Sequence, residues 1–397
     1  MEHGEYWTGT GWCSGNLTSS GSDFGFEVVH KCPVTGARAG ILRTPHSVIE
    51  TPVFMPVGTQ ATVKTMSQQE LEAVGARLIL GNTYHLYLRP GTSLISEAGG
   101  LHSFMGWNGS ILTDSGGYQV FSLSDLRKIT RDGVTFRSHI DGSSHMFTPE
   151  KVMQIQHELG ADIIMAFDEC IPYPSTREYV VKSCEMTGEW ALRCRVEHEK
   201  LNDGSRSLFG ICQGGVYTDI RERTAEALVA MDFNGYAIGG LAVGEPKTQM
   251  FDMVEATTAV LPNGKPRYLM GVGFPDDIVE AVSRGIDMFD CVMPTRNARN
   301  GTVFTRYGRL VLKNAHQARR FVPIDPDCGC PTCRHYTRAY IRHLFQAGEI
   351  LAPRLATMHS IYFYLQIVCE MRQAIMEDRF PSWREEFLRT FRNEEEF

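Results

Sequence analysis

Three short apolar runs in the sequence end at an aspartate: Asp114, Asp168 and Asp290. Buried parallel strands read as continuous apolar runs, and α/β folds place their chemistry at the carboxyl ends of such strands. A carboxylate there can act as a nucleophile or as a general acid or base. Taken singly, each aspartate fits equally well as an N-cap of the following helix. Taken together, they predict a pocket lined by carboxylates.

Other polar and small residues follow the remaining strand-like segments. They are Asn82, Ser115, Tyr118, Gln213, Gly240, Leu241 and Met270. Asp and Gln can pair with the edge of a nucleobase, Tyr and Met can cover its faces, and Gly lets backbone amides approach closely. The glycines can also be simple turns, and the methionine can be core packing. The set as a whole suits a pocket for a flat polar ring.

A cluster of cysteines follows the pattern Cys328-x-Cys330-x-x-Cys333. Three thiolates at this spacing, closed by one histidine, are typical of a tetrahedral structural zinc site. His335, His343 and His359 all compete for the fourth position. The alternative is a set of unconnected buried cysteines.

Strand-like and helix-like segments alternate along the chain. The strand-like segments lie near 50–58, 77–84, 110–114, 162–168, 207–213, 235–241, 267–273 and 286–292. A capping box at Ser67–Glu70 and the pair Thr148-Pro149 each open a helix, the second ending at Gly160. Eight such units predict an α/β fold, a (β/α)₈ TIM barrel. Between the third and fourth strands, an alternating segment from Val134 to Ile140, a turn at Asp141-Gly142 and a return strand at Met146-Phe147 predict an inserted β-hairpin.

These patterns divide the chain into three parts. Residues 1–23, rich in Gly and Ser, are predicted to be a flexible leader and do not read as a secretory signal. Residues 24–300 form the barrel, with the insert at about 122–147. Residues 301–397 form a zinc-binding subdomain followed by C-terminal helices, predicted near 337–348 and 357–377, that close the barrel.

Composition narrows the functional classes. No apolar stretch approaches the length needed to cross a bilayer, so no membrane role is expected. Eight of the eleven cysteines are scattered without disulfide-like spacing, which favours a reducing, cytoplasmic setting. The net charge is −7, but residues 296–342 hold ten basic and two acidic side chains. This local excess of positive charge is typical of a nucleic-acid contact or of a solvated face.

Several motifs resemble bacterial tRNA-guanine transglycosylase. They are Asp114-Ser-Gly-Gly-Tyr-Gln-Val120, Met165-Ala-Phe-Asp-Glu-Cys170, Gly239-Gly-Leu-Ala-Val-Gly244, Met288-Phe-Asp-Cys291 through Pro294-Thr-Arg296, and the cysteine cluster. The resemblance runs in order from about Phe24 to the C-terminus. It implies exchange of the wobble guanine of certain tRNAs for 7-aminomethyl-7-deazaguanine, on the route to queuosine.

The resemblance also assigns roles to residues. Asp290 matches the family's nucleophile and Asp114 its general acid/base, for which the pKa has to lie nearer neutrality. The positions that match the family's base pocket are Asp168, Gln213, Gly240 and Leu241 for reading the base, Tyr118 and Met270 for covering it, and Asn82 and Ser115 for support. His359 matches the fourth zinc ligand. A homodimer is expected from the family and from the zinc-binding subdomain.

Specificity follows from a few further positions. Cys170 and Val243 match the pattern for the aminomethyl base, where relatives that use queuine have Val and Gly, and Glu245 is close enough to assist the incoming ammonium. Arg296 and Arg299 match positions that touch a U-G-U anticodon loop. Phe274 departs from the family, which often has Lys at this position.

Three alternatives remain at this stage. The first is the same enzyme acting with queuine or another 7-substituted deazaguanine. The second is a glycoside hydrolase, because barrels with paired carboxylates often cleave sugars. The third is a non-catalytic tRNA-binding subunit, which would be expected to lack Asp290.

Overall fold

The computed structural model of the chain describes residues 24–123 and 127–392. The predicted leader, residues 1–23, therefore lies outside the described residues. In chain order the strands are β1 (Gly25–Lys31), β2 (Arg38–Arg43), β3 (Val48–Thr51), β4 (Val53–Pro56), β5 (Leu78–Gly81), β6 (Ser110–Thr113), β7 (Arg127–Thr130), β8 (Gly133–Arg137), β9 (Ser144–Phe147), β10 (Ile163–Met165), β11 (Ser207–Cys212), β12 (Gly235–Ile238), β13 (Arg267–Leu269), β14 (Met288–Cys291), β15 (Thr302–Thr305) and β16 (Gly308–Val311).

The helices surround and extend this set of strands. In chain order they are α1 (Gln68–Ala73), α2 (Thr83–Leu88), α3 (Thr92–Glu97), α4 (Gly100–Met105), α5 (Gly117–Leu123), α6 (Pro149–Leu159), α7 (Arg177–Leu201), α8 (Thr218–Ala230), α9 (Lys247–Val260), α10 (Pro275–Val282), α11 (Met293–Arg299), α12 (Pro331–His335), α13 (Arg338–Ala347), α14 (Leu351–Met376) and α15 (Phe380–Arg392), with a 3₁₀ turn at Ala315–Arg319. None of the helices in the described ranges is long and apolar enough to cross a membrane.

Eight parallel strands form the central barrel, in the order β4-β14-β13-β12-β11-β10-β6-β5. A parallel bridge between Val57 and Leu80 joins the two ends of this order and nearly closes the ring. These strands coincide with the eight predicted segments, which confirms the (β/α)₈ prediction. The observed strands are shorter than predicted because the residues at their carboxyl ends leave the sheet to form the loops around the barrel mouth.

The barrel interior is apolar and continues into the N-terminal sheet. The interior cluster includes Met55, Leu112, Met165, Ile211 and Met288 from the strands. Leu42 and Ile49, from the antiparallel sheet β1-β2-β3, belong to the same cluster. The buried guanidinium of Arg38 on β2 binds both carboxylate oxygens of Asp287, just before β14. The N-terminal sheet therefore packs across the end of the barrel opposite the strand ends that carry the aspartates.

Local sequence signals explain where two of the outer helices begin. Ser67 and Glu70 make the predicted capping box of α1. Thr148 caps α6 through the backbone N–H of Lys151, and Gly160 ends the helix in the left-handed conformation, φ 75°. Both helix predictions are confirmed.

The insert is larger than the predicted hairpin. Strands β8 and β9 pair as predicted, but β7 adds a third antiparallel strand. Strand β8 ends at Arg137 rather than Ile140. The Ser138 N–H still donates across to the carbonyl oxygen of Ser143, and residues 139–142 then form the turn, in which the Ser138 side chain accepts hydrogen bonds from the backbone N–H groups of Ile140 and Asp141. The prediction of a two-residue turn at Asp141-Gly142 was therefore wrong.

The C-terminal region packs a cysteine-rich segment and three long helices beside the barrel. Helix α14 packs against β4, β2 and α11. It begins at Leu351 rather than near residue 357. Helix α15 was not predicted and packs through a row of stacked rings, Trp383, Phe387 and Phe391. Nine cysteines of the described ranges are free thiols.

Candidate active site

Asp114 follows β6 and is held by three donors. Its Oδ2 accepts hydrogen bonds from Asn82 Nδ2 at 2.5 Å and Gln119 Nε2 at 2.8 Å. Its Oδ1 accepts one from the backbone N–H of Thr83 at 2.8 Å. Burial raises the pKa of Asp114 to about 6, against the effect of these donors, and the negative charge of Asp290 adds to the rise. The carboxyl group can therefore take up and release a proton near neutral pH.

Asp290 is the third residue of β14 and is partly exposed. Its Oδ1 accepts hydrogen bonds from Tyr268 Oη at 2.6 Å and from the backbone N–H of Gly271 at 2.9 Å. Burial raises the pKa of Asp290, and both donors oppose that rise. No described residue donates a hydrogen bond to Oδ2. One oxygen of this carboxylate is thus anchored while the other is left without a protein donor.

Asp168 follows β10 and is bound by two side chains. Its Oδ1 accepts a hydrogen bond from Ser115 Oγ and its Oδ2 one from Gln213 Nε2, both at 2.8 Å. Burial raises the pKa of this carboxyl group, and both donors lower it. Each carboxylate oxygen has two acceptor sites, so both keep capacity for a ligand donor. Gln213 Oε1 is buried and accepts no hydrogen bond from any described residue.

Arg221 organises the loops after β11 and β12. This fully buried guanidinium donates hydrogen bonds to four backbone carbonyl groups, of Cys212, Gly215, Gly239 and Gly240, at 2.9–3.4 Å. Gly240 has φ 64°, and a Cβ atom there would lie 2.2 Å from Gln213 Oε1. The close approach of the two loops therefore requires glycine at 240.

The predicted covering and specificity residues differ in exposure. Tyr118 on α5 has 55% of its surface exposed, and Met270 and Val243 are partly exposed. Cys170 is buried, and burial raises the pKa of its thiol to about 12, so the thiol stays protonated. Leu241 is also buried.

Glu245 stabilises the loop that carries Val243. Its carboxylate accepts hydrogen bonds from the backbone N–H groups of Ala242 and Val243, at 2.5 and 3.0 Å. Ala242 has φ 57°, a left-handed conformation that this turn supports. The predicted contact of Glu245 with an incoming ammonium stays a prediction.

Arg296 and Arg299 lie on α11, directly after the strand that carries Asp290. With Lys64 they line a cleft of about 330 Å³ between α11 and the loop after β4, and none of its lining residues is acidic. Sequence reasoning missed Lys64 because it lies far from the arginine-rich segment. Not every arginine of that segment is free for RNA: Arg338 is buried and donates to the carbonyls of Pro323 and Ile324.

Phe274, the departure from the family pattern, is partly exposed beside a lysine. Lys247 Nζ lies 5.0 Å from the centre of the Phe274 ring. The same ammonium binds Asp276 and Asp277 at 3.2 and 2.7 Å. A cation is therefore present next to this position, but two carboxylates balance its charge.

Cys328, Cys330, Cys333 and His359 form a candidate metal site. Their ligand atoms all lie within 4.8 Å of one another. His359 Nδ1 lies 3.4–3.6 Å from the three sulfur atoms, and its Nε2 lies 2.9 Å from the carbonyl oxygen of Phe304. This second contact fixes the ring with Nδ1 toward the thiols. His335 and His343 are exposed and do not belong to the cluster.

The barrel mouth thus brings the three aspartates to one end of the fold. Sequence reasoning missed Tyr268 and Arg221. It placed Gln119 and Gly271 at the mouth but did not predict that they donate to the carboxylates. Tyr268 could not be found from its type, because a tyrosine inside an apolar strand reads as core. Asp168 and Asp290 do not cap helices, since the N-caps of α7 and α11 are Thr176 and Val292.

Comparison with known proteins places the chain in one family. The family model for queuine tRNA-ribosyltransferase matches residues 32–393. The queuine tRNA-ribosyltransferase of Pelotomaculum thermopropionicum is 60% identical over 369 residues, which cover 93% of this chain and 99% of the relative. That of Caldanaerobacter subterraneus subsp. tengcongensis is 61% identical over 366 residues, covering 92% and 97%. The chain belongs to the queuine tRNA-ribosyltransferase family, a family of pentosyltransferases that act on tRNA.

Proposed function

We propose that this enzyme exchanges the wobble guanine of tRNAs with a U-G-U anticodon loop for 7-aminomethyl-7-deazaguanine, in queuosine synthesis. The observation that carries the proposal is the geometry of Asp290. Its Oδ1 is anchored by Tyr268 and Gly271, its Oδ2 has no donor among the described residues, and its charge acts on Asp114. A nucleophile and an acid/base group thus share one barrel mouth.

In the first half-reaction Asp290 attacks the anomeric carbon of the ribose. Oδ2 forms a bond to C1′ while the bond from C1′ to guanine N9 breaks, and the electron pair of that bond leaves with guanine. The protonated carboxyl group of Asp114 gives its proton to the departing base. The result is a covalent ester between Asp290 and the ribose, neutral guanine and an ionised Asp114.

In the second half-reaction the incoming base enters the same pocket. The Asp114 carboxylate removes its N9 proton, N9 bonds to C1′, and the ester bond to Asp290 breaks with its electrons returning to the carboxylate. A pKa of about 6 suits both directions of this transfer, because neither form of Asp114 is rare near neutral pH.

Asp168 and Gln213 are proposed to read the edge of the base. Asp168 is buried and keeps acceptor capacity beside its bonds to Ser115 and Gln213, so it suits the N–H donors of a guanine-like ring. The backbone around Gly240 and Leu241 adds close contacts, and Asn82 supports Asp114. Tyr118 and Met270 are proposed to cover the two faces of the ring.

The aminomethyl base is proposed rather than queuine because of Cys170 and Val243. Cys170 is buried and Val243 is held by the turn that Glu245 stabilises. Val243 has a larger side chain than the glycine that queuine-using relatives have at this position. It therefore leaves less room for the cyclopentenediol of queuine. The relatives are named for queuine, and direct competition between the two bases distinguishes them.

Arg296 and Arg299 are proposed to bind the anticodon loop. They line a cationic cleft next to the strand of Asp290, where a flipped nucleotide has to enter. Local positive charge of this kind supports phosphate contacts in spite of a net charge of −7.

The Cys₃His cluster is proposed to hold structural Zn²⁺, because three thiols and one imidazole fill a tetrahedral site and leave no position for a substrate. When bound, the metal would tie the segment before α12 to α14.

We also propose a homodimer in the cytoplasm. Exposed apolar side chains in the C-terminal region, Phe321 at 75% and Ile350 at 81%, suit a subunit contact. Equilibrium sedimentation that finds only monomers at micromolar concentration would contradict the dimer.

The decisive experiment follows labelled guanine into an unmodified tRNA with a U-G-U anticodon loop. Asp290→Asn should abolish exchange and should form no protein–RNA adduct on a denaturing gel, while the exposed control Asp252→Asn should behave as wild type. Exchange that survives Asp290→Asn would refute the nucleophile. Competition between 7-aminomethyl-7-deazaguanine and queuine for the same tRNA tests the base, and replacing either flanking uridine tests the loop sequence.

A further inference from the structure

A second group of metal-binding side chains lies at the opposite end of the barrel. His46 is in the turn between β2 and β3, His102 is on α4, and Asp162 comes directly before β10. Asp162 Oδ1 lies 2.6 Å from His46 Nδ1, and Asp162 Oδ2 lies 3.1 Å from His102 Nε2. Three ligand atoms from three separate segments thus lie within 4.8 Å of one another.

The carboxylate of this group is fixed before any ligand arrives. Asp162 is buried, and its Oδ2 also accepts a hydrogen bond from the backbone N–H of Ile111 at 2.8 Å. Its own backbone bonds to Ile111 on one side and Ser207 on the other, at 2.9 Å each. The barrel wall therefore holds one ligand rigidly, which lowers the cost of assembling a site.

An open cleft adjoins the three side chains. It has a volume of about 360 Å³ and is lined by polar residues that include Ser103, His157 and Arg206. A metal held by His46, His102 and Asp162 could keep water or a small ligand in its remaining coordination positions, as three-ligand sites do.

The two imidazole rings each hydrogen-bond to Asp162 and stack on each other. The imidazoles of His46 and His102 stack with their centres 3.7 Å apart and 13° between their planes. Because a metal lies near the plane of each ring that binds it, one ring has to turn. His46, with 41% of its side chain exposed, has room to do so, and the metal would replace the protons now shared with Asp162.

We propose that His46, His102 and Asp162 form a second metal site, for a divalent transition metal that favours imidazole, such as Ni²⁺ or Zn²⁺. Asp162 precedes β10 and Asp168 follows it, so this site does not touch the reacting groups. The metal joins the β2–β3 turn, α4 and the barrel wall in the native state only. Binding should therefore raise the melting temperature and leave guanine exchange unchanged.

The test uses the full chain, first loaded with Zn²⁺ and then dialysed against a weak chelator until metal analysis finds one zinc per chain, held by the Cys₃His site. Titration calorimetry with Ni²⁺ should find one further equivalent, and metal analysis after gel filtration should agree. Loss of a residue that only hydrogen-bonds to a metal ligand weakens metal binding by about 10–100-fold. Loss of a ligand itself should weaken Ni²⁺ binding at least as much. His46→Ala and His102→Ala should show this loss, whereas the exposed control His316→Ala should not.

His46→Ala should disturb folding least of the three possible substitutions, because the His46 side chain is the most exposed of the three ligands. Wild-type protein that takes up no further Ni²⁺ would overturn the proposal and leave the three residues as a hydrogen-bonded link. Uptake that is equal in wild type, His46→Ala and His102→Ala would overturn it too, because the metal would then bind elsewhere.

Discussion

Tyr268→Phe tests how Asp290 is prepared for attack. The substitution removes one hydroxyl group that donates to Asp290 Oδ1 at 2.6 Å and leaves the Gly271 N–H in place. A hydrogen bond to a charged group contributes about 1.5–3 kcal/mol. Since one pKa unit corresponds to about 1.36 kcal/mol, the pKa of Asp290 should rise by about 1–2 units. Asp290, the proposed nucleophile, would then be protonated at a pH where it is still ionised in the wild type.

The sign of the effect on rate follows from the two carboxyl groups. The proposed mechanism needs Asp290 ionised and Asp114 protonated, so the rate should fall on the acid side as Asp290 takes up a proton and on the alkaline side as Asp114, with its pKa of about 6, loses one. Tyr268→Phe should move the acid limb of kcat/KM upward by about 1–2 pH units and narrow the profile. The two limbs report the pair, because the groups interact.

Guanine exchange measured across this pH range gives the answer. Tyr236→Phe is a matched control, since Tyr236 is a buried tyrosine on the neighbouring strand β12 but packs in the cluster outside the barrel wall. Its profile should match the wild type. An unchanged acid limb in Tyr268→Phe, or an equal change in Tyr236→Phe, would refute the reasoning.

Three further substitutions address the frame, the pocket and the metal. Arg38→Met leaves Asp287 as a buried unpaired charge and should lower the free energy of unfolding by about 3–5 kcal/mol, measured by urea denaturation. Gly240→Ala puts a Cβ atom 2.2 Å from Gln213 Oε1 at a residue with φ 64°. It should reduce kcat/KM for guanine by about 10–100-fold and lower the free energy of unfolding by about 1–3 kcal/mol. Cys333→Ser, or a chelator, should lower zinc content and destabilise the C-terminal region and tRNA binding before it alters guanine binding.

Each of these has a control within the chain. Arg177→Met breaks an exposed pair with Asp219, which water screens, and should leave the free energy of unfolding close to that of the wild type. Gly264→Ala adds a Cβ atom into open space and should leave kinetics unchanged. Cys32→Ser alters a free thiol outside the metal cluster and should leave zinc content as it is. Loss of guanine exchange with folding intact after zinc removal would mean that the metal takes part in the chemistry.

The barrel could be predicted from sequence because its strands are buried on both faces and read as unbroken apolar runs. The same property indicated where the aspartates lie, since the first charged residue after such a run has to lie near the barrel mouth. The structure of the insert was harder to predict. Strand β7 is short and half-exposed, and the turn after β8 spans residues 139–142 with the Ser138 side chain bonded inside it, which alternation alone does not reveal.

The sequence did not predict which side chains contact the site residues across the fold. The cysteine spacing indicated three ligands but left three histidines open, and only the fold brings His359 on α14 to the sulfur atoms. Arg221 shows the same limit. It lies at the start of α8 and reads as a surface cation, yet it is fully buried and bonds to carbonyls of two neighbouring loops.

The donors around the three aspartates explain how one pocket can hold three carboxylates. Asp114 receives three hydrogen bonds, Asp168 two and Asp290 two, and each donor offsets part of the cost of burying a charge. Asp290 differs because both of its bonds go to one oxygen and both come from β13 and the loop after it. The other oxygen has no donor among the described residues, and in the proposed mechanism it bonds to carbon. A donor placed on Oδ2 would stabilise the anion further but would have to be displaced before attack, so the asymmetry itself suits a nucleophile better than a purely structural carboxylate.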